Sequence, residues 1–164
     1  MAQVREVPDP ARLRLDSYPF VREVPARFGD MDIQRHVNNV AIASFYEDGR
    51  ANLNMRMFGE GLFSQVREFR FVVLETRTRY LREAPFPATY RVGVGITRFG
   101  RSSFEYGLGL FHDAECVGLC ESVLVHMTSS GPTAVPPERR ALMEKYAFPA
   151  AVRPESESGQ PADR

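Results

Sequence analysis

Tyr90, Val92, Val94 and Ile96 alternate with Arg91, Gly93, Gly95 and Thr97. That period-two pattern predicts a strand with one buried face. Phe104, Tyr106, Leu108 and Leu110 repeat it beyond the hairpin turn Phe99-Gly100-Arg101-Ser102, and Val117, Leu119, Val123 and Val125 repeat it beyond Asp113-Ala114-Glu115. Phe69 to Leu81 is rich in Val, Thr, Phe and Tyr and reads as a further strand, closed by the turn Ala84-Pro85-Phe86-Pro87. Phe20 to Phe28 reads as a first strand, edged by Pro25. Val37 to Phe58 has a different period. Ile42, Phe45, Tyr46, Leu53 and Met57 recur at three- and four-residue steps, as on a helix face. Asn38 and Asn39 suit its start, and Phe58-Gly59-Glu60-Gly61 suits its end. Gly93, Gly95, Gly107, Gly109 and Gly118 fall inside strands, where glycine permits curvature or close backbone approach. These elements predict an α+β domain in which one buried helix is wrapped by a long, curved antiparallel meander. Pro136 and Pro137 introduce a short helix over Glu138 to Tyr146.

The flanks differ. Residues 1–18 read as an arm or a ragged first strand, residues 19–148 as the folded domain, and residues 149–164 as a disordered tail poor in large apolar residues. At 164 residues and 43% hydrophobic, the chain supports one core without staples. Lys+Arg and Asp+Glu number 21 each, which argues against bulk nucleic-acid binding. The start of the chain has no apolar signal stretch, and no run approaches the ~20 apolar residues of a membrane span. The expected compartment is cytoplasmic. Cys116 and Cys120 fall four residues apart on one strand, so they are expected on one face, roughly 13 Å apart and too far to bridge. Three separated histidines and two cysteines without zinc spacing make no metal-ligand set.

Candidate chemistry concentrates in Arg27-Phe28-Gly29-Asp30-Met31-Asp32-Ile33-Gln34-Arg35-His36-Val37-Asn38-Asn39. Two carboxylates, a histidine and two amides stand between a strand and a helix start. The helix start offers unpaired N–H groups and the positive end of the dipole, which can hold a developing oxyanion. A nearby carboxylate can attack a carbonyl or take a proton from water. The same residues could equally be caps: Asp before a helix, His36 on a neighbouring carbonyl, Asn38 and Asn39 as capping amides. Elsewhere, Glu47 and Arg50 lie one helical turn apart and can pair. Arg77 and Arg79 read as a solvated sheet face, His112 as exposed, and His126 as a satisfied buried or interface histidine.

The run Phe28-Gly29-Asp30-Met31-Asp32, then His36-Val37-Asn38-Asn39, then Glu47 with Arg50, resembles the hotdog-fold acyl thioesterases of the 4-hydroxybenzoyl-CoA thioesterase-like group. The strand Val72-Val73-Leu74-Glu75 through Arg79-Tyr80-Leu81 and the turn Phe99 to Phe104 also fit. The likeness covers roughly residues 20 to 128. It implies a hotdog fold with five or six strands, and a homodimer or a dimer-of-dimers tetramer with sites at the interface. It implies hydrolysis of an acyl-CoA thioester, aliphatic or aromatic, with coenzyme A as part of the substrate and no separate cofactor. By the same resemblance Asp32 is the nucleophile or general base, and the Asn39 N–H is the oxyanion donor. His36 and Gln34 orient water or carboxylate. Arg101, helped by Arg98, contacts the coenzyme A phosphates, with Asn38, Ile42 and Glu47 near the substrate. The run Asp32-Ile33-Gln34-Arg35-His36 is also similar to the Asp-x-Asn-x-His run of plant acyl-ACP thioesterases, with Gln34 in place of Asn. Related families place glycine where Arg35 stands. An acyl carrier protein substrate and a non-catalytic acyl-CoA-binding module are the alternatives.

Overall fold

The computed structural model describes residues 8–59 and 70–149. In chain order the strands are β1 (Phe20–Pro25), β2 (Arg70–Tyr80), β3 (Thr89–Phe99), β4 (Ser103–His112), β5 (Glu115–Thr128) and β6 (Gly131–Pro132). The helices are α1 (Asn39–Phe58), between β1 and β2, and α2 (Pro137–Glu144), after β6. The sheet runs β1-β3-β4-β5-β2, all antiparallel, with β6 beside β5. Its concave face wraps α1, the hotdog arrangement that the resemblance implies. Ile42, Phe45, Leu53 and Met57 of α1 pack on Tyr90, Val92, Val94, Ile96, Tyr106 and Leu108. The period-two and period-three-to-four patterns therefore meet in one core.

The opposite, convex face explains Gly93, Gly95, Gly107 and Gly109. A Cβ on Gly93 or Gly109 would lie 2.5 Å from Tyr18, one on Gly95 2.6 Å from Phe148, and one on Gly107 2.5 Å from Arg12. Close approach is the operative property there. Among the described residues, the segment before β1 is not a strand. It forms 3-10 turns at Pro10–Leu13 and Leu15–Ser17, and its Tyr18 packs on Phe111, Leu119 and Phe148.

Several boundaries move. β1 stops at Pro25, and Phe28–Asp30 is a 3-10 turn, because the Asp30 carboxylate accepts the Arg27 N–H at 2.7 Å. α1 starts at Asn39, with Asn38 as its cap. It ends on Gly59, whose φ of 65° suits glycine and whose N–H reaches the Met55 carbonyl. The last helix covers Pro137–Glu144, shorter than expected. Cys116 and Cys120 are free and lie on opposite faces rather than one: Cys116 joins the convex cluster and Cys120 the core. The reason is a bulge. Leu110 pairs with Gly118 but Phe111 with Cys116, so Val117 is an extra residue that inverts the alternation. The expected tail beyond Pro149, the first seven residues of the arm, and Glu60, Gly61 and Phe69 lie outside the described residues. Among the described residues no helix is long and apolar enough to cross a membrane.

The two sheet edges differ. β1 covers β3 only as far as Val94, and the chain at 146–148 takes over, with Ile96 N–H on the Tyr146 carbonyl and Phe148 N–H on the Ile96 carbonyl. Among the described residues β2 pairs only with β5, and its other edge is open along its length. Val72, Val73, Leu74, Tyr80 and Leu81 are exposed there.

Candidate active site

The segment from Asp30 to Asn39 is a loop knotted by its own polar groups. The Asp30 carbonyl accepts both the backbone N–H of Asn38 (2.8 Å) and its side-chain amide (2.7 Å). The Asn38 side-chain oxygen accepts the Ala41 N–H at 2.9 Å, so Asn38 is the N-cap. Asp30 and Asn38 are thus spent on building the loop.

Asp32 is held differently. Its Oδ1 accepts the N–H groups of Gln34 (2.8 Å) and His36 (3.2 Å). Its own N–H reaches the His36 carbonyl and its carbonyl accepts the Arg35 N–H. Oδ2 takes no hydrogen bond among the described residues. Arg35 completes the turn with φ 64°, the left-handed conformation that glycine adopts without cost. Geometry therefore separates two carboxylates that spacing alone leaves equivalent. Asp30 closes a turn on both its carboxylate and carbonyl, whereas Asp32 is pinned through one oxygen and leaves the other open.

At the helix start the first N–H groups, those of Asn39 and Val40, have no partner among the described residues, while Ala41 and Ile42 are satisfied by Asn38. An anion can be held there by N–H groups and dipole together. The His36 imidazole turns away from Asp32: Nε2 lies 3.3 Å from the Glu83 carboxylate. It is the main chain of His36 that grips Asp32. The Gln34 side chain is exposed and makes no hydrogen bond among the described residues, and Ile42 is buried in the core. Phe28, Ile33 and Val40 are exposed around the loop.

The loop sits past the end of β2. Val37 donates to the Ala84 carbonyl at 2.8 Å, and His36 bridges Pro85. Arg98 and Arg101 do not join it. Ser103 and Val72 both pair with Val125, so the turn carrying Arg101 lies level with the start of β2. With β2 eleven residues long, the arginines and Asp32 stand at opposite ends of one protomer, roughly 30 Å apart at ~3.3 Å per residue. Both arginine side chains are exposed.

Glu47 pairs with Arg50 as expected. Arg50, only 6% exposed, points under α1, where burial lowers its guanidinium from the ordinary arginine value. Beside it Asn54 accepts the Tyr106 hydroxyl at 2.6 Å. Sequence reading missed Asn54, Tyr106 and Arg70 around Arg50, and Glu83 beside His36. A visible signal existed for one of them: Arg50 and Asn54 are a polar i,i+4 pair on the stripe that carries Tyr46, Leu53 and Met57. His126 is buried as expected, with Nδ1 on the Thr133 carbonyl at 2.9 Å. His112 is half-buried, stacked near Tyr90. Among the described residues no three His, Cys, Asp or Glu side chains group to hold a metal.

Solved structures share this architecture. A protein of Pseudomonas aeruginosa strain PAO1 is 29% identical, with 84% of this chain and 97% of that one covered and a TM-score of 0.74. A thioesterase from Thermus thermophilus, crystallised in complex with coenzyme A and Zn, is 27% identical, with 79% and 94% covered and a TM-score of 0.71. A thioesterase-superfamily structure from Jannaschia sp. CCS1 is 16% identical, covers 86% of this chain and 99% of its own, and has a TM-score of 0.75, a likeness of fold alone. No curated protein matches the chain. The thioesterase-like superfamily matches residues 26–146, which span the Asp32 loop, α1, β2 to β6 and α2. By that match, and by the helix-in-sheet fold that frames it, the chain belongs to the thioesterase-like superfamily.

Proposed function

We propose that the protein hydrolyses acyl-CoA thioesters, with Asp32 as the catalytic carboxylate. The observation that carries the reading is an aspartate pinned through Oδ1, open at Oδ2, in the loop that leads to a helix start whose Asn39 and Val40 N–H groups have no partner among the described residues. Acting as base, Oδ2 takes a proton from water as the hydroxide adds to the thioester carbonyl. Acting as nucleophile, it adds to that carbonyl itself and water later cleaves the mixed anhydride. In both courses the charge that develops on the carbonyl oxygen goes to the Asn39 N–H, coenzyme A leaves as thiolate, and the acid is released.

The active unit is a dimer joined edge to edge through β2. Symmetric pairing of one edge with its copy runs antiparallel and brings opposite ends of β2 together. Arg98 and Arg101 of one protomer then approach the Asp32 loop of the other. Separation of these groups within one protomer supports this reading, as do the open apolar edge of β2 and the coenzyme A bound by the Thermus relative. A guanidinium fork suits phosphate.

The test is thiol release from a panel of aliphatic and aromatic acyl-CoAs, wild type beside Asp32→Asn. Asparagine keeps an Oδ1 to receive the Gln34 and His36 N–H groups, so the loop persists. A kcat lowered at least ~100-fold, with folding unchanged, is expected for loss of a base or nucleophile. Turnover indifferent to the change would overturn the assignment. Binding of acyl-CoA without turnover would favour the binding-module reading.

A further inference from the structure

Beneath the middle of α1 lies a cavity of about 170 Å³ lined by Glu47, Arg50, Asn54, Arg70, Phe71 and Leu124. Its polar content is unusual for the underside of a helix. Arg50 and Asn54 are 6% and 8% exposed, yet neither spends its full hydrogen-bonding capacity. Arg50 uses Nη2 on Glu47 and makes no other hydrogen bond among the described residues. Asn54 receives the Tyr106 hydroxyl on its oxygen, and its amide donors are unclaimed among the described residues. Two guanidinium groups face one carboxylate, and that carboxylate sits on the exposed rim. The unspent donors of Arg50 and Asn54 line the cavity, together with a second guanidinium, so the cavity suits an acceptor-rich, anionic group.

Its position says which group. The cavity includes Arg70 and Phe71, the first residues of β2, whereas the Asp32 loop lies past the last. Antiparallel pairing through β2 therefore sets the cavity of one protomer beside the Asp32 loop of its partner. An acyl chain whose carbonyl rests at Asn39 in one protomer can then point its far end into the cavity of the other.

We propose that this cavity is the acyl-end subsite and that it selects acyl groups ending in a carboxylate, so the substrates are coenzyme A monothioesters of dicarboxylic acids. The inference rests on the hydrolase reading above. Arg50 and Arg70 hold the distal carboxylate, Asn54 donates to it, and Phe71 and Leu124 pack on the methylenes before it.

The test uses the full chain and a ladder of coenzyme A monothioesters of straight-chain dicarboxylic acids of about four to eight carbons. Each is compared with the methyl-ended acyl-CoA of equal length. At the best length the carboxylate-ended substrate is expected to have a kcat/KM at least ~10-fold higher, because a site built to hydrogen-bond a polar group rejects the analogue without it. Arg50→Met is expected to lower that ratio at least ~10-fold, and the exposed Arg70→Gln, which does not threaten the fold, about threefold. Turnover of methyl-ended chains with no preference for a carboxylate at any length, or with a ratio unmoved by Arg70→Gln, would overturn this inference and leave the hydrolase reading standing. Failure to turn over any thioester would overturn both.

Discussion

Arg35 carries a conformational cost that its neighbours impose. Its φ of 64° lets Gln34 and His36 aim their N–H groups at one oxygen of Asp32. For an L side chain that conformation costs about 1–2 kcal/mol, whereas glycine adopts it freely at an entropy cost of about 0.4–1 kcal/mol in the unfolded chain. Arg35→Gly is therefore expected to stabilise the protein by about 0.5–1 kcal/mol, read as a higher urea midpoint at unchanged slope. An unchanged or lower midpoint would show that the Arg35 side chain offsets its own strain. The same scale shows what was legible in the loop. Asp32, His36, Asn38 and Asn39 stood out as a run, and a capping amide at Asn38 or Asn39 followed from residue type. Their division of labour did not follow, because it depends on which oxygen meets which N–H across several residues of irregular backbone.

At the scale of elements, the proposed dimer turns on β2. Its Phe71-Val72-Val73-Leu74 run is continuously apolar, so no alternation in the sequence tells which side meets the core and which an edge partner. The strands themselves, their turns and α1 were legible because each shows a single clear period. The edge became visible only once β1 and residues 146–148 were seen to cover β3. Leu74, 72% exposed and the extra residue at a bulge, is one residue from the middle of β2. Pairing about that middle brings it close to its copy, so Leu74→Asp sets two like charges against each other in a strand ladder. The variant is expected to sediment as a monomer at micromolar concentration and to lose most thioester turnover, since Arg101 and Asp32 no longer share a site. A dimer of unchanged strength and activity would place the interface elsewhere.

For the whole molecule, the convex face is closed by the segment before β1. Tyr18 accepts a hydrogen bond from Arg12 Nε at 3.1 Å and returns one to the Arg12 carbonyl at 2.8 Å, both over glycines of β3 and β4. The sequence showed those glycines but not what approaches them, since the approaching residues lie far along the chain with no periodicity of their own. This cover makes stability pH-sensitive. Burial raises the Tyr18 phenol to about 12 from 10.0, and burial raises Tyr90 to about 12 as well. Each phenol thus keeps its proton in the folded chain at pH values where the unfolded chain has lost it. The stability these two phenols contribute is full below about pH 10 and is lost as pH rises toward 12, by up to about 1.4 kcal/mol per pH unit for Tyr18. Tyr18→Phe retains the edge contacts with Phe111 and Phe148 but removes both hydroxyl bonds and one titrating group. At pH 8 it is expected to cost about 1–3 kcal/mol, because a buried guanidinium loses a partner. Above about pH 10 its urea midpoint is expected to decline less steeply than that of the wild type, so the two curves converge. Parallel curves from about pH 8 to about pH 11.5 would show that the Tyr18 hydroxyl does not titrate with unfolding, and the cover over the glycines would then have to loosen before the core does.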